Sequence, residues 1–464
     1  MTIWHLGWMV ISDLSIAWLA CVDGLYFFLL LLSVGTLGRR GALLPLEALR
    51  GSAYVPPVSI LVPAFNEAVT ITASVEALLA LEYPVYEVVV VNDGSRDDTL
   101  AVLEAAFDLV PVGRQAVQRS IDAVPPRTVY QSTKDPRLIV VDKENSGKGS
   151  SLNTAINYAQ YPLVCTIDAD SLLDGEALLY MARTYIEDSE RTVAIGGLIR
   201  IANGCRIRDG RVVQARVPTN PLALVQTAEY LKTFIAGRVA WSAVNGLVII
   251  SGAFGIFRRD MMVNVGGYSA EAPGEDMEIV LKIHRYCREH HVPYRVAFSP
   301  DAVCWTQAPE TLAVLGAQRR RWGRGNLRNV RNYRFMALRS RYRAVGLLAL
   351  PYLIGVELFA PYVMVAGLLI VVGLLVGQHF PGLIWLLLLA GLVLDYMLGA
   401  TAVVLDDLTF RTFRPRDVAK LLLTLLHMPV WYYFVTAVWR VQGHIQMLRH
   451  VNPWGTMTRS TWGQ

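Results

Sequence analysis

Hydrophobic and polar positions follow two different patterns along the chain. Between residue 54 and about residue 300, short apolar runs rich in Val and Ile alternate with longer segments of helical spacing. Because strands that alternate with helices form a mostly parallel sheet, this part is predicted to be an α/β domain. The runs predicted as strands are 58–62, 87–91, 138–141 and 163–167, and the first is followed by a predicted helix over 68–81.

Three further features complete the pattern of this region. Residues 247–250 predict another strand, which runs into the small residues Ser251, Gly252 and Ala253. Residues 107–136 contain paired prolines and have weak periodicity, so we expect a surface insertion with one short helix. A helix is predicted over 277–286, directly after Gly-Glu-Asp at 274–276.

Much longer apolar stretches lie at the two ends of the chain. Residues 14–37 are long enough for one membrane crossing, which needs roughly 20 apolar residues. Arg39, Arg40 and Arg50 follow this stretch and no Lys or Arg precedes it, so we expect the following residues to be cytoplasmic. At the other end we expect an interfacial helix over 345–358, then spans to 376, over 380–405 and over 421–439, the last broken by His427 and Pro429.

Composition supports a membrane protein. The 464 residues are 53% hydrophobic with a mean hydropathy of +0.37, and 17% are charged against a usual value of about 25%. Positive charge is bunched between Arg319 and Arg343, which fits an anionic membrane or a phosphate-bearing substrate better than nucleic acid. The five cysteines form no C-x-x-C pair, which argues against structural zinc and a disulfide framework.

Asp168 and Asp170 are the first candidates for chemistry. They follow the apolar run 163–167, and ligands of open α/β sheets bind beyond the carboxyl ends of the strands. Residues two apart on an extended chain face the same side, so both carboxylates can reach one hard cation such as Mg²⁺. A capping Asp beside a solvated neighbour is the alternative.

Other polar loops are predicted at the same edge of the sheet. They contain Glu67, Asp93, Lys148 and Asp276. Lys148 stands between two glycines, a pattern that lets backbone and one positive charge approach an anion, although a plain turn with a solvated Lys also fits. Asp276 fits either a site residue or a helix N-cap.

Residues 318–322 read Gln-Arg-Arg-Arg-Trp. On a helix, Gln318, Arg321 and Trp322 share one face while Arg319 and Arg320 point elsewhere. One interpretation makes Trp322 a stacking surface for a sugar and Arg321 the cation for a diphosphate leaving group. The other makes the arginines an anchor for lipid phosphates.

Taken together, six motifs in this order resemble the processive, membrane-embedded family 2 glycosyltransferases, which include cellulose synthase, hyaluronan synthase and poly-β-1,6-N-acetylglucosamine synthase. They lie at 63–67, 92–95, 146–149, 168–170, 274–276 and 318–322, and the tail 454–459 also resembles the family's final Trp/Arg segment. Gly274 departs from the pattern, because several members have Thr there.

The resemblance implies a GT-A fold, Rossmann-like and mostly parallel, forming a cytoplasmic domain flanked by transmembrane and interfacial helices in the plasma (inner) membrane. The implied divisions are an amino-terminal anchor (1–40), the GT-A domain (41–317), interfacial helices (318–358) and carboxyl-terminal transmembrane helices with the tail (359–464). The implied activity is metal-dependent inverting transfer from UDP-GlcNAc or UDP-Glc onto a growing, exported β-linked glycan, with Mg²⁺ or Mn²⁺ as cofactor. The implied partners are the donor, the glycan or lipid acceptor, the bilayer and an export protein, with no nucleic acid.

The resemblance also implies a role for each matching residue. Asp276 would be the catalytic base, and Asp168 and Asp170 would hold the metal. The residues that would bind the nucleotide sugar are Pro63, Glu67, Asp93, Lys148, Asp168 and Arg321. Those that would contact the acceptor are Ser251, Gly252, Ala253, Glu275, Gln318 and Trp322.

Two other functions remain open at this stage. An enzyme that adds a single sugar to a lipid acceptor can carry a similar Gln-to-Trp segment, and product size separates it from a polymer synthase. A non-catalytic membrane scaffold is the third interpretation. Against the scaffold stands the presence of all four acidic residues, Asp93, Asp168, Asp170 and Asp276.

Overall fold

The computed structural model describes residues 21–450, except for Asp23, 40–43, Gly51, Ala53, 118–120, Asp209, 271–272 and 377–381. The first part of the predicted amino-terminal anchor and the tail 454–459 therefore lie outside the described residues. The described part of that anchor contains an apolar helix over Gly24–Gly38.

A mixed sheet of ten strands forms the centre of the α/β domain. Its spatial order is β3-β4-β5-β2-β1-β6-β11-β8-β12-β7, and β4, β7 and β11 run against the other seven strands. Strands β9 and β10 form a separate hairpin. The strands are β1 Val58–Ala64, β2 Tyr86–Asp93, β3 Leu109–Pro111, β4 Pro126–Ser132, β5 Leu138–Lys143, β6 Leu163–Ile167, β7 Ser171–Leu173, β8 Thr192–Ile201, β9 Arg206–Arg208, β10 Arg211–Gln214, β11 Phe254–Arg258 and β12 Arg295–Thr306.

The four strands predicted from short apolar runs are confirmed as β1, β2, β5 and β6. They lie side by side and parallel in the order β5-β2-β1-β6. Their Val- and Ile-rich runs are almost fully buried, because helices cover both faces of a parallel sheet. Parallel pairing brings their carboxyl ends, and the polar loops after them, to one edge of the sheet.

Helices connect the strands and continue beyond the sheet. Between α5 and α6 the chain forms a π-helical segment, Lys232–Arg238, and two further π segments, Val345–Ala349 and Leu353–Leu358, precede α10. The helices are α1 Ile71–Leu79, α2 Thr99–Phe107, α3 Lys148–Tyr158, α4 Ala177–Ile186, α5 Pro221–Leu231, α6 Val239–Ala243, α7 Arg259–Asn264, α8 Glu275–Glu289, α9 Leu312–Tyr333, α10 Ala360–Val376, α11 Gly382–Phe410 and α12 Pro415–Leu448.

The prediction that residues 107–136 form a surface insertion with one short helix is wrong. Strands β3 and β4 lie in this segment and extend the main sheet, with β4 antiparallel to β5. Its described residues after Phe107 contain no helix. Sequence periodicity did not reveal β4, because only Val129 and Ser132 of this strand are buried.

The strand predicted over 247–250 is also wrong. Those residues make no ladder, and the strand in this region is β11, which begins at Phe254. Ile250 packs against β11 instead: a Cβ on Gly255 would lie 2.4 Å from the Ile250 Cγ2 atom. Gly255 is therefore needed for this packing, not for the approach of a ligand.

Among the residues that the structure describes, three helices are long and apolar enough to cross a membrane: Val345–Leu369, Leu388–Phe410 and Pro415–Leu448. The expected interfacial helix and the span after it belong to the first of these. Pro429 was expected to break the last span, but α12 continues through it. Proline removes only one intrahelical hydrogen bond, and neighbouring helices commonly compensate for this in membranes.

A buried ion pair joins the sheet to the apolar helices. The two terminal guanidinium nitrogens of Arg200, on β8, donate to the Asp406 carboxylate, on α11, at 3.1 and 2.7 Å. Both side chains are 2% exposed. The Arg200 guanidinium also lies over the rings of Phe410 and Phe413. Two planar hydrogen bonds between buried side chains fix the register of α11 against the sheet.

We predict that Asp406→Asn lowers the free energy of unfolding by about 3–5 kcal/mol, because it leaves the Arg200 charge buried without its counter-ion. The measurement is denaturation of the full-length protein in detergent, followed by tryptophan fluorescence. Glu144→Gln is the matched control, since Glu144 pairs with Arg127 in solvent at 3.4 Å and such pairs contribute about 0–1 kcal/mol. Equal destabilisation by the two substitutions would contradict the prediction.

Candidate active site

The polar edge of the sheet gathers the predicted site residues from distant parts of the chain. Asp93 is the last residue of β2, and Asp168 directly follows β6. Lys148 is the first residue of α3, whose preceding residue Gly147 has a φ of +88°. That left-handed conformation is easy for glycine and lets the chain turn sharply into the helix.

Lys148 lies at the centre of this group. Its ammonium nitrogen is 2.5 Å from Asp168 Oδ1 and 3.5 Å from Glu275 Oε1, and it donates to the Gly252 carbonyl oxygen at 3.1 Å. Burial would lower the pKa of Lys148, but the charges of Asp168, Glu275 and Asp276 raise it above its ordinary value. Lys148 is therefore a permanent cation that joins loops from four regions of the chain, and the plain-turn alternative does not describe it.

Gly252 leaves the space that this arrangement needs. A Cβ on Gly252 would lie 3.0 Å from the Lys148 ammonium nitrogen and 3.5 Å from Asp276 Cβ. The same geometry shows that Asp276 is close to Lys148, and so to Asp168. Ser251 and Ala253 flank Gly252 in the turn that leads into β11.

Asp168 and Asp170 have the properties of a cation site. Burial, and then repulsion by Asp168, raise the pKa of Asp170 to about 7. A divalent cation would reverse both effects, and two carboxylates completed by donor phosphates are a common set of Mg²⁺ ligands. The described residues contain no cluster of three or more His, Cys, Asp or Glu side chains placed to hold a metal. The residues present therefore fit a metal shared with a phosphate ligand.

Asp276 lies in the first turn of α8, one residue after Glu275. The N-cap position belongs to Gly274, so the capping alternative for Asp276 does not hold. Burial, and then the neighbouring Glu275 charge, raise the pKa of Asp276 to about 6. A carboxylate with this pKa accepts a proton more readily than an ordinary Asp and is still ionised at neutral pH.

Gly274 is required by the backbone around it. Its φ is +85°, and a Cβ there would lie 3.1 Å from Gly325 Cα on α9. The Asn329 side-chain amide donates to the Gly274 carbonyl oxygen at 2.9 Å. These contacts explain why glycine is needed at position 274, and they attach the loop before Asp276 to the helix that carries Trp322.

Pro63, Glu67 and Asp93 lie on the other side of the polar edge. Pro63 is near the end of β1, and buried Glu67 accepts a hydrogen bond from the Thr70 hydroxyl at 3.0 Å. The Asp93 carboxylate pairs with Lys143 and accepts the backbone N–H groups of Ser146 and Gly147, both at 2.9 Å. Asp93 thus holds the turn that presents Lys148.

The Gln-Arg-Arg-Arg-Trp segment lies in the middle of α9. Gln318 is buried, and its Oε1 atom has no hydrogen-bond partner among the described residues. Arg321 is close enough for its charge to lower the pKa of Asp170, while the Trp322 ring is 41% exposed. Of the three residues on the predicted face, Arg321 is thus within electrostatic reach of the acidic group.

Family descriptions of known proteins match this chain. "Glycosyl transferase family 2" matches residues 59–260, and "Glycosyl transferase family group 2" matches residues 163–441, more than half of the 464 residues. This chain belongs to the family 2 glycosyltransferases. The stretches that match contain Asp93, Asp168, Asp276 and Trp322.

Two bacterial relatives and one solved structure show how far the similarity extends. Poly-β-1,6-N-acetyl-D-glucosamine synthase of Staphylococcus epidermidis is 28% identical over 272 residues, 58% of this chain and 55% of that protein. The Staphylococcus aureus (strain COL) protein of the same name is 29% identical over 269 residues, 58% of this chain and 54% of that protein. The chain thus matches about half the length of these relatives.

A mannosyltransferase from Pyrobaculum calidifontis, solved in complex with GDP-Man and Mn²⁺, shares the fold. The TM-score is 0.52 at 18% sequence identity, and the superposition covers 94% of this chain and 99% of that chain. The expected GT-A fold, with apolar helices at its carboxyl end, is confirmed.

Several residues of the glycosyltransferase site were not predicted from the sequence. Arg238, at the end of the π segment, interacts electrostatically with Asp276 and donates to the Ile249 carbonyl oxygen at 2.7 Å. Burial lowers its pKa to about 10. The Asn153 side chain on α3 accepts a hydrogen bond from the Tyr268 backbone N–H and donates one to the Tyr268 carbonyl oxygen, beside the site. Only folding brings these residues together, and no local motif marks them.

Arg319 also has a role that was not predicted from the sequence, which placed it away from the face of Arg321 and Trp322. Its guanidinium donates to both Glu229 carboxylate oxygens at 2.9 and 2.6 Å and to the Tyr432 hydroxyl at 2.9 Å. Its central carbon lies 4.4 Å from the Trp322 ring centroid. Arg319 therefore supports the indole from one side and connects α9 with α5 and α12.

We predict that Arg319→Met slows sugar transfer about tenfold, because the Trp322 ring loses the guanidinium that orients it. Raising the activation free energy by ~1.4 kcal/mol lowers the rate by that factor. Initial rates with saturating donor and varied acceptor measure the effect, and donor affinity should change little. Arg320→Met is the control, since Arg320 makes only a 3.4 Å contact with Gln442. A loss of donor affinity equal to the loss of rate would contradict a positioning role for Arg319.

Proposed function

We propose that this family 2 glycosyltransferase extends a β-linked polysaccharide by inverting transfer from a nucleotide sugar. One observation carries the proposal: Lys148, Asp168, Gly252 and the Glu275–Asp276 pair converge within a few ångströms from distant parts of the chain. In this proposal the arrangement supplies a base, a fixed cation and a carboxylate pair for one reaction centre. Those are the groups that glycosyl transfer to a hydroxyl requires.

Asp276 is the base in this proposal. A sugar hydroxyl is a weak nucleophile, so it must lose its proton as it attacks the anomeric carbon. The raised pKa of Asp276 suits this proton transfer. With one base and no protein nucleophile, the attack is a single displacement, which converts an α-linked donor into a β-glycoside.

The charge that develops on the diphosphate leaving group needs compensation. Lys148 and Arg321 are the cations that would offset this charge, and Asp168 and Asp170 would hold Mg²⁺ or Mn²⁺ together with the donor phosphates. The metal supplies Lewis-acid stabilisation of the leaving group when it is bound. Asp93 and Glu67, with Pro63 beside them, form the nucleoside side of the pocket.

The acceptor approaches from the opposite side. Trp322 offers a partly exposed ring for stacking against a sugar, and Gln318 has a buried oxygen that can accept a hydroxyl hydrogen bond. Ser251, Gly252, Ala253 and Glu275 line the space next to Asp276. Small residues there let the acceptor hydroxyl reach the base.

Sequence similarity to poly-β-1,6-N-acetyl-D-glucosamine synthases supports UDP-GlcNAc as donor, with UDP-Glc as the second choice. We place the α/β domain on the cytoplasmic side of the inner membrane, with an anchor before residue 41, interfacial helices over 318–358 and transmembrane helices beyond. The apolar helices then provide the route by which the product leaves, alone or with an export partner.

We predict that the purified full-length protein makes a ladder of β-linked oligomers from UDP-GlcNAc when Mg²⁺ or Mn²⁺ is present. Removing the metal with EDTA should stop transfer, because the diphosphate then leaves without charge compensation. Radiolabelled donors and gel separation of the products measure this. One labelled glycolipid without longer products would instead establish single-sugar transfer to a lipid, and transfer undiminished by EDTA would exclude the metal.

Asp276→Asn should reduce transfer by at least about a thousandfold while donor affinity stays within about threefold, because the amide cannot take the hydroxyl proton. Donor affinity is measured by isothermal calorimetry and transfer by UDP release. Asp260→Asn is the matched control, since Asp260 also lies in the first turn of a helix but is exposed and outside the site.

The same residue sets the acid side of the pH profile. Because only the ionised form acts as base, kcat/KM should fall as the pH drops below about 6, the pKa of Asp276. The Asp260→Asn enzyme should keep this limb. A flat profile down to pH values well below 6, or near-normal elongation by Asp276→Asn, would exclude Asp276 as the base.

A further inference from the structure

The arginine-rich stretch between Arg319 and Arg343 consists of two parts with different surroundings. In the first part, Arg319 is bound to Glu229, and buried Arg324 donates to the Gln446 side chain at 2.6 Å. In the second part the guanidinium groups point outwards. We call residues 331–343 the basic turn, and its exposed arginines are Arg331, Arg334, Arg339, Arg341 and Arg343.

No acidic residue balances these charges within the basic turn, which contains neither Asp nor Glu. Arg331, Arg334 and Arg339 form no ion pair with any residue that the structure describes. The acidic residue packed nearby, Glu289, already pairs with Arg285 and accepts a hydrogen bond from Tyr342. Arg341 contacts the same residue, since it donates to the Glu289 backbone carbonyl oxygen at 3.3 Å. The uncompensated positive charge of the basic turn is therefore that of Arg331, Arg334 and Arg339.

Leu338 stands at the middle of this charged surface. It is 77% exposed and has a φ of +59°, a conformation that is uncommon for a non-glycine residue. Exposure of a leucine side chain to water does not favour this conformation. An apolar side chain surrounded by cations is typical of segments that enter the headgroup region of a bilayer.

The basic turn is held rigidly. The Leu338 backbone N–H donates to the Gly346 carbonyl oxygen at 2.8 Å, and a Cβ on Gly346 would lie 2.5 Å from the Arg339 carbonyl oxygen. Met336 and Tyr342 are buried on its inner side. The exposure of Leu338 is thus built into the fold.

The position of the basic turn identifies what covers it. The first membrane-spanning candidate begins at Val345, two residues after Arg343, and Leu347 and Leu348 in its first turns are 47% and 44% exposed. The surface is therefore continuous with the apolar helix and lies at its end next to the α/β domain. Anionic headgroups attract basic segments at such positions.

We propose that the basic turn is a binding surface for anionic phospholipids of the leaflet that faces the α/β domain. Its arginines bind the headgroup phosphates, and Leu338 inserts between them. The turn begins in the last residues of α9, which carries Trp322 and whose Asn329 holds the loop before Asp276. Bound lipid thereby fixes the end of the helix that forms one wall of the site. The inference does not depend on which sugar is transferred.

The test uses the full-length protein reconstituted into nanodiscs of phosphatidylcholine mixed with phosphatidylglycerol. Native mass spectrometry after release measures the ratio of the two lipids that stay bound. Arg334→Gln/Arg339→Gln should lower the retained phosphatidylglycerol at least about fivefold, since each arginine near the surface contributes to anionic-lipid binding. Arg127→Gln/Arg191→Gln removes the same charge from two exposed positions on the α/β domain and should retain the wild-type ratio.

Leu338→Asn is the second variant. Asparagine tolerates a positive φ better than leucine, so this protein should melt at or above the wild-type temperature while its retained phosphatidylglycerol falls. Unchanged lipid ratios in both the arginine and the leucine variants would overturn the proposal. If the Arg127/Arg191 control lost as much phosphatidylglycerol, the loss would reflect the net charge of the protein and not a binding surface. That result would also overturn the proposal.

Discussion

The charge of Lys148 is the constraint on which the active site depends. Four carboxylates gather at one edge of the sheet, and mutual repulsion and burial would otherwise drive protons onto them. One ammonium group contacts Asp168 and Glu275 and lowers the pKa values of Asp170 and Asp276. Because it also bonds to the Gly252 backbone, Lys148 fixes the loops that carry these acids.

Burial still leaves Asp170 and Asp276 with raised pKa values of about 7 and 6. The two groups therefore differ from solvent carboxylates in a way that suits different tasks. Asp170 becomes fully charged when a cation approaches, and Asp276 can accept a proton near neutral pH. Environment, rather than residue type, separates the proposed metal ligand from the proposed base.

Charged contacts also join the α/β domain to the apolar helices. Arg200 on β8 pairs with Asp406, Lys232 in the π segment pairs with Asp395, and Arg319 pairs with Glu229 beneath Tyr432 of α12. Breaking such buried pairs leaves an isolated charge, so they resist sliding of one part against the other. The proposed acceptor wall, with Trp322 next to Arg319, is held by the apolar helices as well as by the α/β domain.

Local sequence determined the elements that bury a continuous apolar run. Strands β1, β2, β5 and β6, the helix that begins beside Asp276 and the long apolar helices were all predicted, because each carries an apolar pattern that is visible in the local sequence. The polar loops after those strands were also predictable, since parallel strands end at one edge. Strands β4 and β11 were not predicted. Few residues of β4 are buried, and β11 lies next to the apolar run that ends at Ile250, which periodicity alone cannot distinguish from a strand.

Tertiary structure alone decided the partners. Arg319 is buried against Glu229, whereas the arginines after residue 330 are exposed. The sequence of residues 318–322 does not predict this difference, because it depends on which helices pack against α9. The roles of Arg238, Asn153 and Gly274 likewise arise from contacts between segments far apart in the chain. Sequence fixes which groups are available and where strands end, whereas electrostatic pairing and steric fit across the folded chain decide which of them meet.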